Sequence, residues 1–174
     1  MEFEINKAIE ILERSPSVYK NILSGLSAEW VNARETENSW SAFDIMGHLI
    51  HGELTDWIPR TMIFLSNEED KTFEPFDMEA HFENSKGKTI NDLIKEFKDL
   101  RNENITILKT LEISPTDLER TAIHPALGKV KLKEHLATWV VHDLTHIAQI
   151  NRILAKQYKS EVGLWIQWMP IMER

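Results

Sequence analysis

The chain contains no cysteine. That excludes disulfides, a sulfur nucleophile of the protein's own and thiolate metal ligands. Any metal must be held by histidine, aspartate, glutamate or backbone oxygen. No apolar run approaches the ~20 residues that span a bilayer. No Lys/Arg-rich block offsets the formal net charge of -8, so the average surface repels a phosphate backbone. The opening Met1-Glu2-Phe3-Glu4 is acidic and lacks the basic-then-apolar order of a signal peptide. The expectation is a cytoplasmic protein with no membrane and no nucleic-acid partner.

What is present fits an ordinary globular chain. Hydrophobic residues make up 42% and charged residues 28% of 174 positions, which fits a single domain over 1–174. The periodicity is helical almost throughout, with no internal repeat. A first helical piece covers 3–14. Ser15-Pro16 reads as an N-cap followed by proline at the first helical position of a second piece, which ends before Gly25. Ser39 or Ser41 caps the next helix, whose apolar positions from Phe43 to Ile58 recur at three- and four-residue spacing. Pro59 kinks it near Thr55, and it continues to about Leu65.

Residues 66–88 form a long polar connection carrying the island Phe73-Glu74-Pro75-Phe76, which is expected to pack onto the body. Thr89 caps a third long helix with an inner stripe from Ile90 to Leu111. Ser114-Pro115 ends it. His124-Pro125-Ala126-Leu127-Gly128 reads as a loop, and a fourth helix runs from about Lys131 to Lys156. The expected class is all-α, a four-helix bundle with a long connection between the second and third helices. An apolar tail follows, Leu164, Trp165, Ile166, Trp168, Met169 and Ile171, which either pairs two copies or caps the bundle of its own chain.

The chemistry lies in the seven histidines. His142-Asp143-Leu144-Thr145-His146 places two imidazoles at i and i+4, one above the other on one helix face, where they can chelate one metal. Ordinary core or surface histidines are the plainer reading of such a pair. A third ligand on a facing helix strengthens the metal reading, because bundles build metal sites from side chains of facing helices. His48, between Ile45 and Leu49 on the second long helix, supplies it. Gly47 and Gly52 beside it suggest a need for space, as glycine inside a helix costs about 1 kcal/mol against alanine. His51 is an alternative ligand that tilts off the face. His135 reads as solvated, and His81 and His124 as loop residues. Trp139, Thr145 and Gln149 share the histidine column and are candidate pocket-lining, cofactor-binding residues. The run also mimics the zincin H-E-x-x-H pattern. Asp143 is one methylene short of the glutamate base, however, and the third ligand lies upstream, so Asp143 reads as a supporting or surface carboxylate.

These residues resemble the DinB-like (DinB/YfiT) superfamily of metal-binding bundles. The resemblance spans essentially the whole chain. It rests on Ser39-Trp40-Ser41, His48-Leu49-Ile50-His51-Gly52-Glu53, Thr55-Asp56-Trp57-Ile58-Pro59-Arg60 and Pro75-Phe76-Asp77. It continues through Leu100-Arg101-Asn102-Glu103-Asn104, the His124–Gly128 loop and, most specifically, Ala137 to Ile150. The resemblance implies an up-down-down-up bundle, a homodimer, and nickel or zinc on His48, His142 and His146. Lys131 stands where relatives often have a capping threonine. It also implies several activities. Some relatives transfer low-molecular-weight thiols, one branch isomerises with a thiol cofactor, and others are called metal-dependent hydrolases by analogy.

Three neutral imidazoles leave a four-coordinate ion one open position. The leading expectation is a transferase that activates a small-thiol cofactor there and acts on a small-molecule substrate. The alternatives are a hydrolase that activates water and a non-catalytic module stabilised by metal.

Overall fold

The first arm of the molecule is a helix broken in two. The computed structural model describes residues 1–173. In it α1 spans Ile5–Leu12 and α2 spans Ser15–Leu23, and Arg14 between them keeps a right-handed helical conformation. Pro16 falls at the second position of α2 and not the first. Ser15 does not cap; its hydroxyl donates back to the Ile11 carbonyl. A short α3 (Ala28–Val31) leads into the second arm.

Ser41, not Ser39, caps that arm. Its hydroxyl accepts from the Asp44 amide (3.2 Å), and the Asp44 carboxylate accepts from the Ser41 amide (2.8 Å), a reciprocal box that satisfies two otherwise orphaned donors. α4 (Ala42–Thr55) stops at Asp56, and α5 (Trp57–Leu65) resumes at once. The break sits where Pro59 removes the N–H that would have bonded back to residue 55.

The connection over 66–88 is better ordered than its polarity suggests. Phe73 is buried against Phe64, and its amide donates to Ile123. A short α6 (Ala80–Asn84), which periodicity did not reveal, packs on α4. Thr89 and Asp92 form a second capping box, starting α7 (Ile90–Thr110).

The expected loop at His124–Gly128 is the tip of an antiparallel hairpin. β1 (Thr121–His124) pairs with β2 (Gly128–Lys131), Thr121 opposite Lys131 and His124 opposite Gly128. Gly128 takes φ +73°, a conformation that L side chains rarely adopt, and His124 Nδ1 accepts from the Ala126 and Leu127 amides. α8 (Leu132–Lys156) follows directly. Glu134 accepts from the Lys131 amide, which is half of a capping box; a lysine side chain cannot supply the other half.

Two apolar clusters give the arm directions. One joins Leu12 of α1, Trp57 of α5, Leu108 of α7 and Leu136 of α8. The other joins Leu23 of α2, Ile45 of α4, Leu93 of α7 and Ile153 of α8. The first arm runs from the first cluster to the second, α4–α5 and α7 run the opposite way, and α8 returns with the first. The bundle is therefore up-down-down-up, and the 66–88 connection is long because it must return along the bundle to make α7 parallel to α4–α5. Among the described residues no helix is long and apolar enough to cross a membrane.

After α8 come two 3-10 turns, Gly163–Trp168 and Pro170–Met172. Met172 is buried, while Leu164, Trp165 and Trp168 stay exposed. The tail thus covers its own bundle only in part.

Candidate metal centre

α4 and α8 cross where their histidines face each other. His48 Nε2 lies 3.1 Å from His142 Nε2, and His146 Nε2 lies 3.2 Å from the same atom. One ring nitrogen from each of the three residues falls within 4.8 Å of the other two. A tetrahedral zinc with ~2.0–2.1 Å bonds holds its nitrogen ligands about 3.3 Å apart, so the donor set matches the size of one ion. Among the described residues this is the one cluster of three or more histidine or carboxylate groups that could hold a metal.

The protonation states suit ligation. Burial lowers the basicity of all three imidazoles. Burial brings the pKa of His48 and His142 down to about 3, reinforced by neighbouring histidines at His48 and by His146 and the Arg101 guanidinium at His142, so both rings are neutral at pH 7. Burial also lowers His146, and the Gln149 and Asp143 contacts partly oppose it. Gln149 Oε1 lies 2.9 Å from His146 Nδ1. An amide oxygen only accepts, so Nδ1 carries the proton and Nε2 presents its lone pair to the cluster. The Nδ1 atoms of His48 and His142 have no hydrogen-bond partner among the described residues.

Aromatic rings wall the site. Trp40 approaches His48 at 4.8 Å between ring centres, Phe76 at 5.5 Å, and Trp57 approaches His142 at 5.2 Å. With His81, 6.0 Å from His48 between ring centres, Phe76 is thus a part of the 66–88 connection that reaches the histidines. It also touches His51 at 4.7 Å, and His51 stays outside the nitrogen cluster.

The remaining histidines take other roles. His135 is not solvated: it sits among Trp57, Phe64 and Phe73, its Nε2–H donates to the Trp57 carbonyl, and burial lowers its pKa to about 4. His81 lies on α6, buried beside Trp40. His124 ends β1 and folds the hairpin tip.

Beneath the site lies a buried polar cluster whose hub sequence reading missed. Arg101 on α7 donates to Asp143 (Nη1 to Oδ2 2.6 Å, Nη2 to Oδ1 3.0 Å) and to Glu53 (Nη2 to Oε1 2.7 Å). Its Nη1 also donates to the Leu12 carbonyl. The side chains of Arg101, Glu53 and Asp143 are fully buried. Asp143 is therefore neither a surface carboxylate nor a free base. The signal available in the sequence was positional: Arg101 and Asn104 share the inner stripe of α7 with Phe97 and Leu108.

The three residues expected to line a cofactor pocket separate in the structure. Trp139 is fully buried, its indole N–H donating to Glu53 Oε1 at 3.1 Å. Thr145 is exposed and bonds the Val141 carbonyl of its own helix. Gln149 meets the site through His146. The two glycines of α4 do not open a cavity beside the histidines. A Cβ on Gly47 would stand 2.4 Å from Ser85 Oγ, so Gly47 admits α6, and one on Gly52 would stand 3.3 Å from the Trp57 indole nitrogen.

Comparison with known proteins matches the chain to one family and one fold. A family model described as the DinB superfamily matches residues 11–150. A protein of Oceanobacillus iheyensis named as a putative metal-dependent hydrolase is 23% identical over 154 residues, covering 88% of this chain and 87% of its own. One of Bacillus mycoides with the same description is 23% identical over 150 residues, covering 86% and 84%. Among solved structures, YfiT from Bacillus subtilis, described as a probable metal-dependent hydrolase with an unusual four-helix bundle topology, superposes with a TM-score of 0.75. It is 20% identical and covers 88% of this chain and 87% of its own.

Proposed function

This chain belongs to the DinB superfamily, and from that premise we propose that it is a metal-dependent hydrolase whose ion is held by His48, His142 and His146. The observation that carries the reading is the convergence of three neutral ring nitrogens at ligand spacing. The names of its relatives favour water over a thiol as the nucleophile. The thiol transfer expected from the sequence has no counterpart in those names.

A donor set of imidazoles without thiolate suits zinc or nickel. When bound with an open coordination position, such an ion polarises a carbonyl or phosphoryl oxygen and makes a water more acidic. The chain's own residues hold and orient the donors. Gln149 fixes the His146 tautomer. Trp40, Trp57 and Phe76 exclude bulk water from the rings, which strengthens electrostatic interactions inside. The substrate is a small molecule, since the aromatic walls leave the histidines largely buried. The exposed Trp165 and Trp168 support pairing of two copies through the tail, checked by light scattering over a concentration series.

The deciding experiment offers ester and amide substrates to metal-loaded protein, to chelated protein and to His142→Ala, each with and without a small thiol. Hydrolysis without thiol, lost on chelation and in the variant, is the expected result. A strict thiol requirement would reinstate the transferase. Stoichiometric metal with no turnover on any substrate would favour a structural module.

A further inference from the structure

We propose that Glu53, Arg101 and Asp143 are positioning residues of the metal site, clamping α4 to α8 next to the point where their histidines meet and supplying one excess buried negative charge beneath the cation. This rests on the metal reading above.

The placement is specific. Asp143 directly follows the ligand His142 on α8, and Glu53 lies five residues after His48 on α4. Arg101 on α7 grips both carboxylates, so one guanidinium ties the two ligand-bearing helices together. Trp139, one turn before His142, adds a second link from α8 to Glu53. Asn104 donates to both the carbonyl and the Oε2 of Glu53, and Tyr19 donates to the Asp143 carbonyl. Arg101 also bonds Leu12, so its guanidinium reaches the other three arms of the bundle.

Charge counting gives the second half of the proposal. Every hydrogen bond to the two carboxylates comes from a donor: Arg101 to both, and Trp139 and Asn104 to Glu53. That is the pattern of two ionised acceptors. One guanidinium against two carboxylates leaves one negative charge in a fully buried cluster. Fully desolvated charge is costly and is often no more stabilising than apolar packing, so packing alone does not account for this arrangement. A divalent ion on three neutral imidazoles brings positive charge into the same low-dielectric region, where an opposite charge acts strongly.

The test uses the full-length chain, with cobalt(II) and zinc as probes. Glu53→Gln removes the excess charge and keeps an acceptor for Arg101 and Trp139. Arg101→Lys keeps the charge and loses the fork that reaches both carboxylates. Metal affinity, the cobalt absorption spectrum and the thermal midpoint of the metal-free protein are measured for each. Outer residues of this kind typically change metal affinity 10–100-fold. The expected result is zinc binding weakened by roughly that factor in Glu53→Gln, and a shifted cobalt spectrum in Arg101→Lys. A merely structural role would move the thermal midpoint and leave the spectrum alone. Should Arg101→Lys fail to fold, Glu53→Gln still decides. Unchanged affinity and spectrum in Glu53→Gln would overturn the proposal while leaving the metal site standing. Absence of stoichiometric metal in the parent protein would overturn both.

Discussion

His48 and His142 stand 94 residues apart in the chain, yet their Nε2 atoms lie 3.1 Å from each other. Two neutral nitrogens at that distance can share one hydrogen. With His146 Nε2 also 3.2 Å from His142, a third lone pair competes for it. A cation relieves that competition.

One divalent ion per chain is therefore expected, with stoichiometric binding abolished in His142→Ala, whose imidazole is central to both short contacts. Elemental analysis of protein reloaded with zinc after chelation is the check. Unchanged metal content in the variant would exclude His142 as a ligand.

The meeting of the three histidines could be read from the sequence, and the reason is local. The i,i+4 spacing of His142 and His146 fixes a shared face once α8 is helical, and the apolar period of α4 puts His48 on an inward face. What could not be read depends on partners distant in the chain. Arg101 falls on the inner stripe of α7, but its role shows only when Glu53 and Asp143 are brought to it. His135 near the start of α8 looked exposed, and Trp57 and Phe64 bury it. The hairpin escaped because its strands are four residues each, and α6 because it has only five. Gly47 does answer a need for space, but Ser85 of the 66–88 connection occupies that space.

The metal-free protein should lose stability as pH falls below about 6.5. In the folded chain His48 and His142 have pKa values near 3 and His135 near 4, all below the ordinary value. Between those values and 6.5 the unfolded chain binds more protons, so acid favours unfolding and the loss continues down toward pH 3–4. Each such histidine contributes a slope of up to about 1.4 kcal/mol per pH unit. Urea midpoints at pH 7, 6 and 5 in the presence of chelator measure it. A flat profile would show that the rings are not buried neutral.

Gly47→Ala tests the docking of α6. The new Cβ would fall 2.4 Å from Ser85 Oγ, so the hydroxyl must turn away or α6 must shift. Overpacking of this kind costs about 1–3 kcal/mol, which offsets the ~1 kcal/mol that alanine gains over glycine within a helix. The substitution is expected to be neutral to destabilising in the parent. In a Ser85→Ala background the next neighbours are His81 atoms at 3.5 Å, an ordinary contact, and the same change should then stabilise. A double-mutant cycle on urea midpoints reads the coupling directly, and additivity would mean that α6 does not rest on Gly47.

Arg101→Ala should be among the most destabilising single changes in the chain. It leaves the Glu53 and Asp143 carboxylates fully buried without their cation, and breaking one side of a buried ion pair costs about 3–5 kcal/mol. The Leu12 carbonyl loses the Arg101 donor at the same time. Lys95→Ala is the contrasting control: its partner Asp99 is four residues away on the open face of α7, and both side chains are more than half exposed. Removing a solvated pair of that kind should leave the urea midpoint where it was. The expected order is a large drop for Arg101→Ala and none for Lys95→Ala, measured in chelator so that metal loss does not contribute. Equal midpoints for the two variants would show that the cluster under the histidines is wetter and looser than its geometry implies.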